Sequence, residues 1–496
     1  MASTLQGGNF LLGQFLTIAK EPLGRPFKQW GEIVPNNGIV RYQMIFGNER
    51  IMLTSPQALS EVLVQRPYDF IKTEQVAFAL TRLLGVGLLV SEGDVHKKQR
   101  KDFMPAFAYR HIKDLYPIFW SKSCELVTKI EETFQAQTSS SREKGISESN
   151  VIEISNFLSR AALDIIGAAG LGRDFHAIAD PNTEPNTTYR RLFSQTKGAQ
   201  ILQLAGFFIP GPLISLLPVQ RNNVIIEAVD IIRAWCRLLI EGKRGKLAAN
   251  KKGDKTEKQD VDIIGAALES GHFTDNQLVD QMMTFLAAGH ETTSTAGTWA
   301  IYYLCLHPEI QSRLRSEIRE KLPSPHYTND SAPPMTTQLL DSLSYLHAVC
   351  METLRFQPPI AVTIRKARID TTIQGHFIPA NTHIHMVPYG LNLSCSLWGP
   401  DAHSYNPDRW IDPVTGKANS AGGASSNYAF LTFLHGPRSC IGKDFAVAEL
   451  KALVAAMIGY GQWELADPNW EPTLTGRITT KPVGGIKVRV KKIEGW

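Results

Sequence analysis

The stretch from Thr274 to Leu306 constrains the fold more than any other part of this chain, because its apolar residues recur with a helical period throughout. Thr274 and Gln277 have the spacing of a capping box at its start, and His307-Pro308 ends it. A helix of that length extends roughly 48 Å at 1.5 Å per residue, far enough to cross a globular molecule. Its centre is too polar for a membrane span, so we expect a long helix through the protein interior.

Helical periodicity dominates the rest of the chain, and β segments are few and short. Residues 38–54 alternate around a Gly47-Asn48 turn, which predicts a β-hairpin. Two polar segments, 137–150 and 247–260, predict surface loops. The pattern therefore indicates a mainly α fold with a minor antiparallel β part. Further helices are predicted at about 55–66, 110–135, 152–170, 221–246, 308–321, 342–357 and 443–460, and strands at 367–374, 382–387 and 485–491.

Composition excludes several classes of protein. Hydrophobic residues make up 43% of the 496 residues and charged residues 20%, which is typical of a globular protein. The 52 basic and 47 acidic residues leave a net charge of +5, an excess that does not predict nucleic-acid binding. The six cysteines form no CxxC pair and no disulfide pattern, which favours a reducing compartment.

One cysteine, Cys440, lies between two glycines and just ahead of a predicted helix, in the segment from Phe433 to Gly442 (FLHGPRSCIG). Glycine allows the backbone to approach a flat cofactor closely, and a helix N-terminus favours a thiolate over a thiol. A thiolate pushes electron density into haem iron, Arg438 can bind a carboxylate, and Phe433 can shield the sulfur from water. Considered alone, the segment is also compatible with a buried structural cysteine in a glycine-rich turn.

The whole string matches FxxGxRxCxG and so resembles the cysteine-ligand loop of the cytochrome P-450 family, and residues 445–449 continue the likeness. The resemblance implies the cytochrome P-450 fold, with the long central helix over a haem and the cysteine loop beneath it. It implies haem b as the cofactor, with Cys440 as the thiolate ligand of the iron. It also implies that Phe433 and Gly442 belong to the haem-binding residues.

Glu291 and Thr292 occupy the middle of the long helix, in the string Ala-Gly-His-Glu-Thr-Thr over 288–293. Polar groups in a buried helix centre are costly unless they are paired or used, and a threonine that bonds back to a carbonyl can bend the helix. A threonine-rich interior helix without a catalytic role would show the same residues. The resemblance implies that Thr292 activates oxygen and that Glu291 supplies protons. Ser294 stands where HExxH needs its second histidine, so the string is not a zinc motif.

Glu352 and Arg355 form an ExxR pair on a predicted helix, and Arg409 follows in a Pro-Asp-Arg-Trp string over 407–410. By itself an i, i+3 pair of this kind is typical of a solvated surface. The resemblance instead implies that the three side chains lock into a buried network near the cysteine loop. Such a network would hold the haem pocket without touching the substrate, and it would be costly to break by removing one partner.

His96 and Arg100 lie in a basic stretch, 93–101, where the family usually has a tryptophan and an arginine. The resemblance implies that Arg100, Arg365 and Arg438 bind the haem propionates, and His96 can donate to a propionate in place of the tryptophan. This variant of the motif resembles fungal members of the family. A solvated helix face is the alternative for the basic run, and its lysines could also form a docking surface for a reductase.

No segment of the sequence predicts a transmembrane helix. We expect residues 1–24 to form an N-terminal segment without a transmembrane anchor and residues 25–496 to form a single catalytic domain. The apolar segment 201–218 is interrupted by glycine and proline, and it indicates either a core loop or a surface element that dips into a membrane. Resemblance to microsomal members implies contact with the cytosolic face of the endoplasmic reticulum membrane.

The resemblance as a whole implies a haem-thiolate monooxygenase. Such an enzyme takes electrons from an NADPH-dependent cytochrome reductase and inserts one atom of O2 into an apolar small molecule, here a terpenoid or other secondary metabolite. Two alternatives stay open: a haem-thiolate isomerase or dehydratase, against which the Glu291-Thr292 pair argues, and a non-catalytic haem-binding sensor or electron carrier. The residues that indicate an apolar ligand are Phe207, Phe208, Leu474 and Ile478.

Overall fold

The computed structural model describes residues 3–5, 7–144, 151–194, 196–206, 208–250, 262–324, 335–475 and 479–496. Helices make up most of this part of the chain. In chain order they are α1 (Phe15–Lys20), α2 (Arg25–Ile33), α3 (Pro56–Ser60), α4 (Glu74–Leu84), α5 (Gly93–Phe103), α6 (Tyr109–Ile112), α7 (Tyr116–Lys144), α8 (Ile154–Ile165), α9 (Glu184–Phe193), α10 (Lys197–Ala205), α11 (Gly211–Ile214), α12 (Gln220–Asn250), α13 (Ile263–Ser270), α14 (Asp275–Leu306), α15 (Pro308–Lys321), α16 (Thr337–Asp341), α17 (Ser344–Phe356), α18 (Pro388–Leu391), α19 (Cys395–Trp398) and α20 (Lys443–Tyr460).

The long helix and its capping box are confirmed, whereas both predicted loops start too early in the chain, because the helices before them are longer than expected. The Gln277 N–H donates to Thr274 Oγ1 at 3.4 Å, and the Thr274 N–H donates to Gln277 Oε1 at 2.9 Å. Since α7 extends to Lys144 and α12 to Asn250, the loop predictions for 137–144 and 247–250 are wrong. Lysine, glutamate and alanine carry good helix propensity, so a polar sequence can continue an exposed helix. The remainders of both loops, 145–150 and 251–260, lie outside the described residues.

The strands form a mixed sheet and smaller antiparallel units. The mixed sheet takes the order β1-β2-β3-β9-β6-β4, a second sheet takes the order β10-β13-β5, and β7–β8 and β11–β12 pair separately. The predicted hairpin is confirmed as β2 and β3, whereas the strand predicted over 367–374 is divided between the end of β6 and β7. The strands are β1 (Ser3–Thr4), β2 (Ile39–Gln43), β3 (Glu49–Leu53), β4 (Phe70–Ile71), β5 (Val151–Glu153), β6 (Thr363–Ala367), β7 (Thr371–Ile373), β8 (His376–Ile378), β9 (His383–Met386), β10 (Gly461–Leu465), β11 (Leu474–Thr475), β12 (Lys481–Pro482) and β13 (Lys487–Lys492).

α14 forms the centre of the helical core, where it packs against α8, α12, α17 and α20. Two glycines on α14 let α8 and the helical turn that follows it come close. A Cβ atom on Gly289 would lie 2.8 Å from the Ile166 side chain, and one on Gly297 would lie 3.2 Å from Leu158. α20 packs against both α14 and α7, so the loop that leads into α20 is held by the same core.

The described residues of the apolar segment 201–218 lie mostly at the surface, so the interpretation of the segment as a core loop is wrong. Leu213 is 53% exposed and Leu216 is 77% exposed. The Phe208 ring packs edge-on against Phe15 of α1, with 5.9 Å between the ring centroids. Within the described ranges, no helix has both the length and the apolar character to span a bilayer.

The predicted Glu–Arg–Arg network is confirmed as a buried cluster. The side chains of Glu352 and Arg355 are 0% exposed, and Arg355 Nε and Nη2 donate to the two Glu352 carboxylate oxygens at 2.7 Å each. Arg409 Nε donates to the same carboxylate at 3.3 Å and Trp410 Nε1 at 3.0 Å. Arg355 Nη1 donates to the Asn392 carbonyl at 2.7 Å. The network therefore joins α17 to the chain on both sides of α19.

We expect Arg355→Met to lower the free energy of unfolding by about 3–5 kcal/mol, because it leaves the Glu352 carboxylate buried with incomplete charge compensation. The matched control is Arg191→Met, which removes an exposed ion pair to Glu227 and should cost about 0–1 kcal/mol. Urea unfolding followed by circular dichroism measures both. Equal losses in the two variants would contradict a structural role for the buried network.

Candidate active site

The loop that leads into α20 holds Cys440 in a fixed backbone conformation. The Cys440 N–H donates to the Phe433 carbonyl at 2.8 Å. Gly436 has a φ of 73°, and a Cβ atom there would lie 2.1 Å from the Leu63 carbonyl oxygen. Only glycine avoids both the backbone strain and the clash, so the loop can pack tightly against the helical turn that contains Leu63.

Cys440 combines a thiol in buried surroundings with an accessible residue surface. Burial raises the pKa of the thiol above its usual value, while a hydrogen bond from the Gly442 N–H and the charge of Arg100 act in the opposite direction. The residue nonetheless retains exposed surface. A side chain that is enclosed by protein and still accessible must border a space inside the fold. The start of α20 alone therefore does not produce the expected thiolate, whereas a bound metal ion would deprotonate the thiol outright.

The middle of α14 also borders an internal space. Ala288 is exposed and Thr292 is half-buried, although Ala287 and His290 on the same turns are buried. Thr292 Oγ1 donates to the Ala288 carbonyl at 2.7 Å, which is the predicted back-bond, and helical structure continues on both sides of it. Within the central turns of α14, the accessible surface therefore lies at residues singled out in the sequence.

α14 and the cysteine loop meet through aromatic and buried polar contacts. Phe107 lies 5.4 Å from Phe285 of α14, measured between ring centroids, and 3.6 Å from the position that a Cβ atom on Gly442 would take. Glu449 of α20 is fully buried beside the Thr293 hydroxyl, and burial holds the pKa of its carboxyl well above the usual range. Burial thus disfavours the charged form of Glu449 next to the loop.

The predicted acid Glu291 forms an ion pair with Lys481, the first residue of β12. Its neighbour His290 bonds Ser159 through Nε2 at 2.8 Å, and burial lowers the pKa of the imidazole to about 4. His290 is therefore neutral at pH 7. Thr292 and Glu291 are adjacent on α14 but bond different partners in this structure.

A buried basic cluster gathers two of the predicted propionate ligands, Arg438 and Arg365, and two residues that were not predicted, Lys72 and Glu92. Arg438 forms an ion pair with Glu92 and donates to the Ser91 carbonyl at 2.9 Å. Lys72 is 7% exposed, and its Nζ lies 3.7 Å from a Glu92 oxygen. Arg365 is 8% exposed and lies near Arg438, whose charge contributes to lowering its pKa. The cluster thus sets three basic side chains against one carboxylate.

The excess of basic side chains in the cluster contributes to lowering the pKa values of its members. Burial and the charges of Arg365 and Arg438 lower the pKa of Lys72 to about 6, despite the neighbouring Glu92. Burial followed by the charge of Arg438 lowers the pKa of Arg365 to about 10. His96 bonds the Tyr68 hydroxyl at 3.1 Å, and burial with the nearby cations lowers its pKa to about 4. A ligand that carries two carboxylates, such as haem b, supplies the negative charge that this donor set lacks.

Arg100 lies next to the cysteine loop, where its guanidinium donates to the Ser439 carbonyl at 2.7 Å and to Ser439 Oγ at 3.3 Å. Sequence reasoning missed Lys72, Glu92 and Lys481. Lys72 is a single lysine ahead of α4, and Lys481 is a single lysine in a short hairpin, so neither belongs to a recognisable spacing. Glu92 could have been suspected, because it is the residue immediately before α5 and its basic run.

Comparison with known proteins agrees with this geometry. Residues 37–487 match the family model for cytochrome P450. The chain is 44% identical to the cytochrome P450 monooxygenase sphH of Aspergillus fumigatus, over 95% of this chain and 84% of the relative. It is 40% identical to the cytochrome P450 monooxygenase FUM15 of Gibberella moniliformis, over 98% and 87%, and 39% identical to the cytochrome P450 monooxygenase ALT8 of Alternaria alternata, over 99% and 90%.

The family binds haem with a cysteine thiolate as the iron ligand, and the enclosed cysteine and the basic cluster of this chain fit that cofactor. The motif pattern, the helical fold and the relatives all agree. The chain belongs to the cytochrome P450 family and is a haem-thiolate monooxygenase.

Proposed function

We propose that this monooxygenase inserts one oxygen atom into an apolar small molecule of fungal secondary metabolism, such as a terpenoid, and that Cys440 is the ligand of the haem iron. The observation that carries the proposal is the enclosed but accessible Cys440 side chain, near a buried cluster with excess positive charge. The first feature suits an iron ion and the second suits the propionates of the same cofactor. Residues 25–496 then form the single catalytic domain.

When bound, haem supplies the dioxygen chemistry: one oxygen atom enters the substrate and the other leaves as water, with two electrons and two protons consumed. Cys440 binds through Sγ, the Gly442 N–H donates to that sulfur, and the Phe433 carbonyl fixes the backbone of the ligand. Aromatic side chains at Phe107 and Phe285 keep water from this region. The residues that hold the propionates are His96, Arg100, Arg365, Arg438 and Lys72.

Thr292 and Glu291 transfer protons to the reduced oxygen. The Thr292 hydroxyl lies at the accessible part of α14, where it can accept a proton from an acid and pass its own to reduced oxygen. A haem-thiolate isomerase or dehydratase, or a non-catalytic carrier, needs no such pair. The curated relatives are named monooxygenases, which also favours this activity.

An NADPH-dependent cytochrome reductase is the proposed electron donor, and α5 offers it a docking surface. His96 and Arg100 on this helix point toward the basic cluster and the cysteine loop. Lys97, Lys98 and Lys101 are exposed on the opposite face. One helix thus carries cofactor ligands on its inner face and a positively charged patch outside, which suits an acidic protein partner.

We also propose contact with the cytosolic face of the endoplasmic reticulum membrane through an apolar surface patch. Phe10 is 97% exposed and Phe46 is 81% exposed, and the Phe46 N–H donates to the Leu11 carbonyl at 2.8 Å, so the two rings belong to one surface. The contact between Phe15 and Phe208 brings the 201–218 segment next to it. Clustered exposed aromatic rings suit the interfacial region of a lipid bilayer.

The carbon-monoxide difference spectrum of the dithionite-reduced protein tests the central proposal. Wild type should show the strongly red-shifted Soret band of thiolate-ligated haem, and Cys440→Ala should lack it, because no sulfur then reaches the iron. Cys395→Ala, which removes another exposed thiol, is the control and should keep the band. An unchanged band in Cys440→Ala would exclude Cys440 as the ligand.

Lys72 should couple haem binding to pH. Its pKa is about 6 before haem binds, and negatively charged propionates raise it, so haem binding takes up a proton at pH 7–8. The favourable charge interaction is complete below pH 6 and is lost as the pH rises, so the haemin affinity of the apoprotein should fall by up to about tenfold per pH unit above pH 6. Haemin titration at pH 6 and pH 8 measures this.

Lys72→Met should abolish most of that pH dependence, and Lys98→Met, which removes an exposed lysine, should retain it. His96 carries no charge at pH 6–8 before haem binds, since its pKa is about 4. A wild-type pH dependence that persists in Lys72→Met would assign the coupled proton to another group.

The double substitution Phe10→Ser/Phe46→Ser should weaken binding to phosphatidylcholine vesicles by at least roughly tenfold, because each buried phenylalanine contributes about 1.5–3 kcal/mol. Vesicle co-sedimentation measures the bound fraction. Phe377→Ser is the control, since Phe377 is 66% exposed on the β7–β8 hairpin. Equal binding by all three proteins would place the membrane contact elsewhere.

A further inference from the structure

The ion pair between Lys481 and Glu291 is the starting point. Glu291 is the proposed catalytic acid, and its side chain is 11% exposed, whereas that of Lys481 is 36% exposed. Of the ion pairs among the described residues, this is the one that contains Glu291. The acid that lies deep on α14 is therefore bonded to a cation that reaches solvent.

The backbone next to Lys481 is anchored, which gives the lysine a defined position relative to α14. Trp299 Nε1 on α14 donates to the Thr480 carbonyl at 2.9 Å. The Thr480 N–H donates to the Pro359 carbonyl at 2.9 Å, and Thr480 Oγ1 donates to the Pro358 carbonyl at 3.1 Å. A side chain that starts from such an anchored residue loses less conformational entropy when it forms an ion pair.

The other titratable groups around Glu291 are neutral at pH 7. His290 has a pKa of about 4, and the buried Tyr189, whose ring packs edge-on against His290, has a pKa well above its usual value. Both interact electrostatically with Glu291 but carry no charge. The positive charge that faces the carboxylate from these neighbouring elements is therefore that of Lys481.

The Thr292 hydroxyl donates its proton to the Ala288 carbonyl, not to Glu291. For a proton to travel from Glu291 to Thr292, the carboxyl has to leave Lys481 or share its hydrogen bonds with the lysine. The strength and direction of the Lys481 contact thus decide how the carboxylate is oriented between proton transfers.

We propose that Lys481 is a positioning residue for Glu291: its ammonium group binds the carboxylate and directs it toward the start of β12, where the partly exposed lysine reaches solvent. A proton from a solvent hydronium ion adds to the carboxylate, which leaves water and removes the charge that holds the carboxylate to Lys481. The neutral acid then donates that proton to Thr292 Oγ1, the Thr292 hydroxyl passes its own proton to the reduced dioxygen, and the carboxylate returns to Lys481. This inference rests on the proposed proton role of Glu291 and Thr292, and it adds the residue that orients the acid.

Two oxidants separate this role from a general effect on the haem site. Oxidation by hydrogen peroxide requires a group that takes a proton from one peroxide oxygen and returns it to the other, which a carboxylate such as that of Glu291 can do. meta-Chloroperoxybenzoic acid releases a carboxylate and needs no returned proton. We therefore measure guaiacol oxidation by the purified holoenzyme with each oxidant, so that neither the natural substrate nor a reductase is needed.

Lys481→Met and Lys481→Gln should lower the hydrogen-peroxide rate by at least roughly tenfold and change the peracid rate by less than about twofold. Lys481→Arg should restore the hydrogen-peroxide rate to within about twofold, because it returns a positive charge at this position. Lys487→Met, which removes an exposed lysine from β13 of the neighbouring sheet, should match wild type with both oxidants.

A parallel loss with both oxidants, or wild-type rates in both neutral variants, would overturn the role of Lys481. Failure of arginine to restore the rate would also overturn it, since the role depends on charge. The carbon-monoxide spectrum is recorded on every sample. A wild-type protein without the thiolate band would instead contradict the proposed function, so the two failures are distinguishable.

Discussion

The hydrogen bonds and ion pairs of the buried Glu352 carboxylate are the interactions on which the proposed haem pocket depends. A fully buried charge is tolerated only with complete compensation, and here Arg355, Arg409 and Trp410 provide it. Arg355 also binds the Asn392 carbonyl, and the Asn392 side chain accepts a hydrogen bond from the Leu431 N–H at 2.8 Å. A continuous set of hydrogen bonds thus runs from α17 to the chain just before Phe433. Because an unpaired Glu352 would be costly, these bonds are kept, and they hold the chain that leads into the cysteine loop.

The basic cluster of the candidate active site differs from the Glu352 network, because the protein provides too few carboxylates to compensate its positive charges. Lys72, Arg365 and Arg438 face one carboxylate, Glu92, and the cost appears as the lowered pKa values of Lys72 and Arg365. The close packing of α14, α8 and α20 in the core supplies stability that offsets this electrostatic cost. A pocket that lacks negative charge favours the binding of a dianionic cofactor. A network whose charges are compensated, by contrast, is stable without a ligand.

Much of this site could be predicted from sequence, because its central parts lie on short contiguous motifs. The ligand loop around Cys440 and the polar centre of α14 at Thr292 are of this kind, and so are the helix boundaries set by a capping box and a proline. Lys72 and Lys481 could not be found in this way. Each is separated from its partner by tens to hundreds of residues, and a single lysine has no spacing that distinguishes it from a solvated one.

The sequence by itself determined the family, the mainly α fold, the candidate ligand Cys440 and the candidate acid–threonine pair, because each depends on local periodicity or on residues close together in the chain. Only the tertiary structure decided which charges are compensated. It brings Lys72 to Glu92 and Arg438, Lys481 to Glu291, and the 201–218 segment to the surface beside Phe15. The physical reason is that burial and Coulomb interactions depend on distances in space, which helix and sheet packing sets and which local sequence patterns do not contain.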